Sequence, residues 1–409
     1  MPLRDMQFED GQEPHPDYFV RRVAPSTNSN EIRVKFFGCN SLWISDGSTH
    51  LLIDPYFTRP FIGPPAGLYP RWMDPHYDSI PIIEPNEDII GEVLRSAGII
   101  GADRNNNLVD AIIVTHTHYD HALDVPAVWA TAGGNARIFG TPSLGYILDA
   151  YDERIRNEGH YIDFTELPGR NENVDFAERL CTPRHEVGSF QLTFLRGHHS
   201  WPRFIAALLS ADISGEIGPE FLEHWRAHEI IANDYKEGGA YNVLIEHERG
   251  RLLIQGVTWV RDMPGYYRSI FRGSLDPPAS PRRLPPHVMI VQVGGFNSWS
   301  VHSGRRERRT FIDEVIQPTK PDTILFTHWE DPDIRLDRPM CWWWSSYETY
   351  GLFRSLIARN RYCVVARNTA GPQTLEPYDP VIGFLPVYNT AEDEIYILPT
   401  REIGGRIRS

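Results

Sequence analysis

The sequence predicts an α/β protein, and three features of its 409 residues support that class. Short runs of β-branched and other apolar residues alternate with stretches that have the apolar spacing of an amphipathic helix. Hydrophobic residues make up 41% of the chain, which is ample for a sizeable core. Histidines cluster directly after three of the predicted strands, so the strands would bring them to the edge of a sheet.

The N-terminal part predicts a surface arm followed by three strands. Residues 1–30 are polar, contain prolines and show no periodicity, and their charged start is unlike a secretory signal. The third strand ends at Asp54, which is either a plain turn residue or a carboxylate that fixes the tautomer of a metal-binding histidine. The three strands are expected at 33–37, 41–44 and 51–53.

A proline-rich segment and two β/α pairs follow. Residues 55–85 contain eight prolines interleaved with aromatic residues, which excludes a regular helix or a central strand. The segment is either a lid or substrate wall, or a packed structural loop. An amphipathic helix is predicted from Asn86 to Gly98, and Asp124 is expected to cap another that runs to Thr131. The other elements here are strands at 110–114 and 136–139 and a helix at 143–151.

The second half of the sequence predicts further strands, and two of them end at histidines. The strand at 190–195 leads to His198-His199-Ser200, and the strand at 323–326 leads to Thr327-His328-Trp329. A helix is predicted from Thr310 to Ile316, and Pro318 would stop it. Three more strands are expected at 241–247, 251–254 and 288–293. We expect one domain over residues 31–345, with residues 346–409 packed on it as an extension.

The stretch from Thr115 to His121 carries the strongest chemical signal. It follows an apolar run, residues 111–114, and has the pattern His-x-His-x-Asp-His. Neutral imidazoles and a carboxylate are preferred ligands of a borderline divalent cation such as zinc. A surface turn that contains histidines by chance is not expected on the end of a β-branched strand. The sequence therefore predicts a metal site at this strand end.

Composition excludes some classes of protein and favours others. The formal net charge of −14 disfavours a general nucleic-acid binder, because phosphate binding is driven by a basic face. No apolar run approaches the ~20 residues that a membrane span requires. The four cysteines lie far apart without a Cys-x-x-Cys pair, which favours a cytoplasmic protein with reduced thiols. We expect a small-molecule substrate; the oligomeric state stays open.

The histidine motif resembles the signature of the metallo-β-lactamase superfamily. The resemblance extends from about residue 32 to about residue 340, most of the chain. It implies a four-layer αββα sandwich with a metal site at one edge, between two sheets. Leu52-Ile53-Asp54-Pro55, His199-Ser200 and Thr327-His328-Trp329 look most similar to a branch with ascorbate-phosphate lactonase-like proteins and N-acylphosphatidylethanolamine-hydrolysing phospholipases.

The resemblance also implies a set of ligands for one or two zinc ions, with manganese or iron as further possibilities. His199 is preferred over His198, because family members usually place a serine directly after the ligand. The first ion would be held by His116, His118 and His199, and the second by Asp120, His121 and His328.

One position departs from the family pattern. Most members with two metal ions place a bridging aspartate after a glycine, and here Val257 aligns with that carboxylate. Valine cannot bind a metal, and two cations a few ångströms apart repel each other. The ion held by Asp120, His121 and His328 is therefore expected to bind more weakly.

The expected function is metal-dependent hydrolysis of a small ester, lactone or amide by metal-activated water. His116, His118 and Asp120 are the expected catalytic residues; Asp120 would also orient the water. The first alternative is a phosphodiesterase-type hydrolase on the same centre, because the ligands alone do not choose the bond. The others are a non-catalytic metal- or ligand-binding module, motivated by Val257, and an iron-containing oxidative enzyme.

Overall fold

In the part of the chain that the computed structural model describes, two seven-stranded β-sheets share one hydrophobic core. In spatial order, the first sheet consists of β14 (Tyr396–Ile397), β1 (Arg33–Phe36), β2 (Leu42–Ser45), β3 (His50–Ile53), β4 (Ala111–Ile113), β5 (Arg137–Gly140) and β6 (Tyr161–Asp163). The structure describes residues 31–60, 82–101, 107–165, 181–197, 215–257, 267, 270–271, 285–293, 310–330, 381–385 and 396–397.

The second sheet is antiparallel on one side and parallel on the other. Its strands β7 to β10 are joined as antiparallel pairs, and its strands β10 to β13 as parallel pairs. In spatial order it consists of β13 (Val381–Phe384), β12 (Thr323–Thr327), β11 (Val288–Gln292), β10 (Gly250–Gln255), β9 (Ala240–His247), β8 (Phe190–Gly197) and β7 (His185–Val187).

Helices cover the outer side of the first sheet. The main ones are α1 (Glu87–Ser96), α3 (Val125–Thr131) and α4 (Pro142–Asp152). Their buried side chains form a second core with outward residues of the first sheet, such as Leu52 and Ile112. The other helical segments are α2 (Tyr119–Ala122), α5 (Arg154–Asn157), α6 (Glu220–Arg226), the 3₁₀ turn Ala232–Asp234, the π-helical segment Ile312–Ile316 and the turn Gln317–Thr319. The prediction of an αββα sandwich is confirmed.

Local sequence signals explain the first helix. The Asn86 side chain accepts a hydrogen bond from the backbone N–H of Ile89 at 3.1 Å, as a helix cap should. Ile90 and Leu94 share the buried face that the periodicity predicts. Gly98 follows the last turn with φ of +68°, a conformation that glycine adopts without strain. The prediction of this helix is confirmed.

Two details of the helix predictions are wrong. Asp124 does precede α3, but its side chain does not cap the helix, because its carboxylate accepts hydrogen bonds from the backbone N–H groups of Phe57 and Thr58 instead. Pro318 does not stop the helix that contains Ile312–Ile316, since helical backbone continues through Thr319. The wide π-helical turn before Pro318 accommodates a residue that has no N–H to donate.

The carboxyl ends of parallel strands meet at one edge of each sheet. Strands β3, β4 and β5 are mutually parallel neighbours, and so are β10, β11 and β12. The backbone N–H of Tyr241 donates to the carbonyl of Thr115 at 2.9 Å, and this bond ties the start of β9 to the end of β4. Residues at these strand ends therefore come together between the two sheets.

Several predictions fall outside the described residues. They concern the N-terminal arm (1–30), most of the proline-rich segment (61–81) and the stretch 331–380. Strands β13 and β14 come from the C-terminal part of the chain, and each pairs with a different sheet. The domain boundaries at residues 31 and 345 stay predictions. Within the described part of the chain, no helix is both long and apolar enough to cross a membrane.

Candidate metal centre

The histidine loop lies at the carboxyl end of β4, between that strand and α2. His118 takes an extended backbone conformation just before α2 begins, and its carbonyl accepts hydrogen bonds from the N–H groups of His121 and Ala122. This sharp change from strand to helix gathers the four polar side chains of the motif in one place. His116 and His121 are each 1% exposed, so their imidazoles lie in the interior rather than on a surface turn.

Hydrogen bonds to Asp54 hold the histidine loop in position. It is fully buried, and its carboxylate accepts hydrogen bonds from the N–H of Thr115 at 2.7 Å and from the Thr115 hydroxyl at 2.6 Å. It also lies 2.9 Å from Nδ1 of His121 and receives the side-chain amide of Asn40 at 2.7 Å. The predicted contact of Asp54 with a motif histidine is confirmed. Because the Nδ1 proton of His121 points at Asp54, Nε2 of His121 faces the site.

His116 and His118 direct two ring nitrogens at the same point. Nε2 of His116 lies 3.1 Å from Nδ1 of His118. Two nitrogens bound to one tetrahedral zinc ion at about 2.05 Å are about 3.3 Å apart, so the observed separation suits a shared cation. The Thr115 hydroxyl lies 3.2 Å from Nδ1 of His116. Since that hydroxyl donates to Asp54, it accepts a hydrogen bond from Nδ1–H of His116, so Nε2 is the ring nitrogen that would bind a metal.

The end of β12 brings His328 to the same place from the second sheet. Nε2 of His328 lies 3.1 Å from Oδ2 of Asp120, and Nε2 of His121 lies 3.6 Å from the same oxygen. His328 has a left-handed backbone with φ of +53°, which a histidine adopts only where its surroundings enforce it. Thr327, the residue before it, donates to Asn40, the same side chain that contacts Asp54. Asn40 thus connects the two strand ends.

The electrostatics of this cluster favour a positive charge. Burial alone would raise the pKa of Asp120, but the neighbouring His121, His328 and His118 lower it below its usual range. Burial would lower the pKa of His121, whereas Asp120 and Asp54 raise it. Two carboxylates therefore create a negative potential at a buried position, which attracts a cation.

A divalent cation fits these residues. Nε2 of His121 is buried and has no hydrogen-bond partner among the described residues, which costs free energy unless another group binds it. Imidazole and carboxylate donors of this kind are the ligands that zinc and iron take in proteins. Five of the six predicted ligands lie together: His116, His118, Asp120, His121 and His328.

The remaining predicted ligand, His199, lies outside the described residues, as does His198. β8 ends at Gly197, directly before them. A Cβ atom on Gly197 would overlap a methyl group of Val257, so the position of the missing carboxylate lies against the end of this strand. Val257 is 2% exposed, and its N–H donates to the side chain of Asn242 at 3.1 Å. The choice of His199 stays a prediction.

Three residues that support this site were not singled out from the sequence. Asn40 is fully buried and contacts both Asp54 and Thr327, yet no spacing rule relates these three positions. Arg59 and Glu330 form a completely buried ion pair at 3.0 Å beside the loop that contains Asn40. The proline-rich character of the segment after Asp54 was the only signal near Arg59.

Comparison with known proteins finds a family match around the histidine motif. Residues 82–214 match the sequence family described as the Beta-lactamase superfamily domain, and this range includes β4 and the complete histidine motif. The match covers about a third of the chain. The two-sheet architecture and the strand-end position of the motif agree with this match. No curated protein matches the sequence significantly.

Solved structures that resemble the chain share little sequence with it. One is Igni18, a novel metallo hydrolase from Ignicoccus hospitalis KIN4/I (12% identity, TM-score 0.38, 85% of this chain and 96% of that one). Another is a possible metal-dependent hydrolase from Veillonella parvula DSM 2008 (16%, 0.41, 85% and 98%). A third is CmlA, a diiron β-hydroxylase from Streptomyces venezuelae (13%, 0.37, 82% and 52%). At these identities and TM-scores the similarity does not extend to activity.

Proposed function

We propose that this protein is a metal-dependent hydrolase that cleaves a small ester, lactone or amide. The observation that carries the proposal is the convergence of four histidines and Asp120 at the edge between the two sheets. When bound, a divalent cation would act as a Lewis acid and lower the pKa of water to ~7. His116 and His118, with His199, would hold one cation; Asp120, His121 and His328 would hold a second.

The protein's own residues orient these donors. Asp54 accepts a hydrogen bond from Nδ1–H of His121, and the Thr115 hydroxyl accepts one from Nδ1–H of His116, so each ring presents Nε2 to the site. Such contacts fix the tautomer and the ring orientation of metal-binding histidines. They also restrict rotation of the histidine rings, which an exposed histidine side chain would retain.

Asp120 is the member of the cluster that solvent reaches. Its side chain is 15% exposed, whereas that of His121 is 1% exposed. The neighbouring histidines hold the pKa of Asp120 below its usual range, so the carboxylate stays ionised at neutral pH. An ionised carboxylate at the open side of the site can accept a hydrogen bond from an attacking water molecule and orient it.

The proposed class of substrate rests on the net charge of the chain. The net charge of −14 would repel polyanions and leaves neutral esters, lactones and amides as the favoured substrates. Phosphodiesters are an alternative on the same donor set. Val257 supports a second candidate, a non-catalytic metal-binding protein, because a buried apolar side chain occupies the position of a bridging carboxylate.

Turnover by the purified protein tests the proposal. Chromogenic ester, lactone, amide and phosphodiester substrates are supplied with and without added Zn²⁺ or Mn²⁺. We expect hydrolysis of a carboxylic substrate that falls at least about a hundredfold in His116→Ala and Asp120→Ala. The matched control is His224→Ala, which removes a half-exposed histidine on α6, outside the motif, and should leave the rate unchanged.

The other outcomes separate the alternatives. Stoichiometric metal without turnover of any substrate would contradict the hydrolase and favour the binding protein. Turnover of phosphodiesters alone would replace the proposed substrate class. A coloured protein that contains iron would direct the search to oxidative chemistry.

A further inference from the structure

Cys39 lies beside the second half of the metal centre, although it belongs to the loop between β1 and β2. Its sulfur, the carboxylate of Asp120 and a ring nitrogen of His328 all lie within 4.8 Å of one another. Cys39 is fully buried and has a left-handed backbone with φ of +50°. Nothing in the histidine motif or in the sequence spacing points to this cysteine.

The loop holds Cys39 in this position firmly. The N–H of Phe37 donates to the carbonyl of Ser41, and the N–H of Ser41 donates to that of Gly38, both at 2.8 Å. The N–H of Cys39 itself donates to the carboxylate of Glu330, which lies two residues after His328. The backbone of Cys39 is therefore anchored to the segment that carries His328.

A second observation indicates that this cluster binds a ligand. Nε2 of His121 is buried, has no hydrogen-bond partner among the described residues and lies 3.6 Å from Oδ2 of Asp120. Asp120 Oδ2 also lies 3.1 Å from Nε2 of His328. Asp120 thus lies next to both imidazoles, and with His328 it also belongs to the group of three donors that contains the Cys39 thiol.

We infer that Cys39 is a fourth ligand of the cation held by Asp120, His121 and His328. This inference rests on the proposed metal centre and adds a residue to it. A thiolate carries the negative charge that Val257 does not supply, so it offsets the repulsion between two neighbouring cations. The expectation of a weakly held second ion, drawn from Val257, took no account of this sulfur.

The donor set also selects the metal. Thiolate and imidazole ligands favour zinc and iron, whereas magnesium, calcium and manganese prefer oxygen donors. The guanidinium of Arg59 lies 4.0 Å from the Cys39 sulfur and is paired with Glu330 at 3.0 Å. A positive charge at this distance stabilises the thiolate, which is the metal-binding form of cysteine.

Cobalt substitution of the wild-type protein tests the inference without any mutation. Metal-free protein is titrated with Co²⁺, and the near-ultraviolet absorption is recorded after the first and the second equivalent. We expect a sulfur-to-cobalt charge-transfer band, because a thiolate bound to Co²⁺ absorbs there and histidine and carboxylate ligands do not. Two bound Co²⁺ ions without this band would overturn the inference and leave the proposed hydrolase intact.

Variants assign the band to a residue. In Cys39→Ser the band should disappear and the affinity for the second ion should fall at least about tenfold, as expected for the loss of a direct ligand. Cys181→Ser is the matched control, because Cys181 is a partly buried cysteine at the isolated bridge with Leu195 in the second sheet. It should retain both the band and the affinity.

Three results would contradict either the role of Cys39 or the proposed metal centre. A band that survives in Cys39→Ser, or an unchanged second affinity in that variant, would contradict a role for Cys39. Failure of the wild-type protein to bind any Zn²⁺ or Co²⁺ would contradict the metal centre itself. Far-ultraviolet circular dichroism of the metal-free variants shows whether they are folded before they are compared.

Discussion

Buried carboxylates hold the loops at one side of the centre, and neutral amides hold the loop at the other. Asp54 accepts backbone and side-chain hydrogen bonds from Thr115, and Glu330 accepts the N–H of Cys39. At the end of β10, by contrast, Val257 donates to the amide of Asn242, and the Tyr267 hydroxyl contacts the amide of Gln255. Both regions are buried, yet only the first carries charge.

The difference between these two regions shows where the protein can stabilise a bound cation. A buried carboxylate costs several kcal/mol unless a cation or several donors compensate it, so carboxylates accumulate where such compensation exists. The imidazole of His121 compensates the buried carboxylate of Asp54, and the guanidinium of Arg59 compensates that of Glu330. The end of β10 has no charged side chain among residues 255–257 and needs no counter-ion. Four predictions test this contrast.

The largest effect is expected from Asp54→Ala. The substitution leaves donors of Thr115, Asn40 and His121 buried without an acceptor, at about 1–3 kcal/mol each, so we expect a loss of about 5 kcal/mol in the free energy of unfolding. Metal affinity should fall by about 10–100-fold because His121 is no longer oriented. Urea unfolding and metal titration measure the two effects. Asp54→Asn, of equal size, should lose metal affinity with a smaller loss of stability.

Gly38→Ala should come next, at about 4 kcal/mol. A Cβ atom on Gly38, whose φ is +93°, would overlap the guanidinium of Arg59 and break its ion pair with Glu330. Gly47→Ala is the matched control: Gly47 has φ of +95° but no heavy atom within 4 Å of its Cβ position. We expect about 1 kcal/mol from backbone strain alone there. Equal losses of unfolding free energy in both variants would contradict the role of the buried pair.

Asp124 gives a pH dependence of about 3 kcal/mol. Burial raises the pKa of Asp124 from 3.8 to about 6, although hydrogen bonds from Thr58 and Phe57 oppose the rise. The pKa of Asp124 is higher in the folded than in the unfolded state, so protonation of Asp124 stabilises the folded protein. This contribution to the free energy of unfolding is fully present below pH 3.8 and is lost as the pH rises through about 6. A shift of about two pKa units corresponds to about 3 kcal/mol.

Unfolding of metal-free protein between pH 4 and pH 7 measures this effect. The wild-type protein should lose about 2.5 kcal/mol more than Asp124→Asn over that interval, because most of the effect lies above pH 4 and asparagine does not titrate. Parallel pH profiles for the two proteins would contradict a raised pKa at this position.

The smallest effect is expected from Val257→Asp, about 2 kcal/mol of lost stability in metal-free protein. A carboxylate there would be buried beside neutral amides without a cation. Val257→Asn has the same shape without the charge and should lose less. Added Zn²⁺ should restore stability to Val257→Asp alone, because a bound cation would compensate the new carboxylate. Restoration of both variants, or of neither, would contradict the alignment of Val257 with the bridging carboxylate.

The sequence alone determined most of the scaffold and the position of the histidine loop. Amphipathic spacing, the Asn86 cap and the apolar runs are local properties, so they located α1, β4 and β12 within one or two residues. The motif His-x-His-x-Asp-His at the end of a buried strand predicted the site because strand ends lie at sheet edges. Asp54 was singled out for the same reason.

Only the tertiary structure decided which distant residues surround that loop. Cys39 and Asn40 belong to one loop and Glu330 to a distant segment, and their position beside the motif depends on how the two sheets pack, which no local pattern encodes. Tertiary contacts also moved the Asp124 carboxylate from its helix to the backbone of Phe57 and Thr58. Hydrophobic periodicity reflects residues that are neighbours in the sequence. The net charge of a buried site depends instead on every segment of the chain that contributes a side chain to it. The sequence therefore predicted the histidines, and the fold added the thiol beside them.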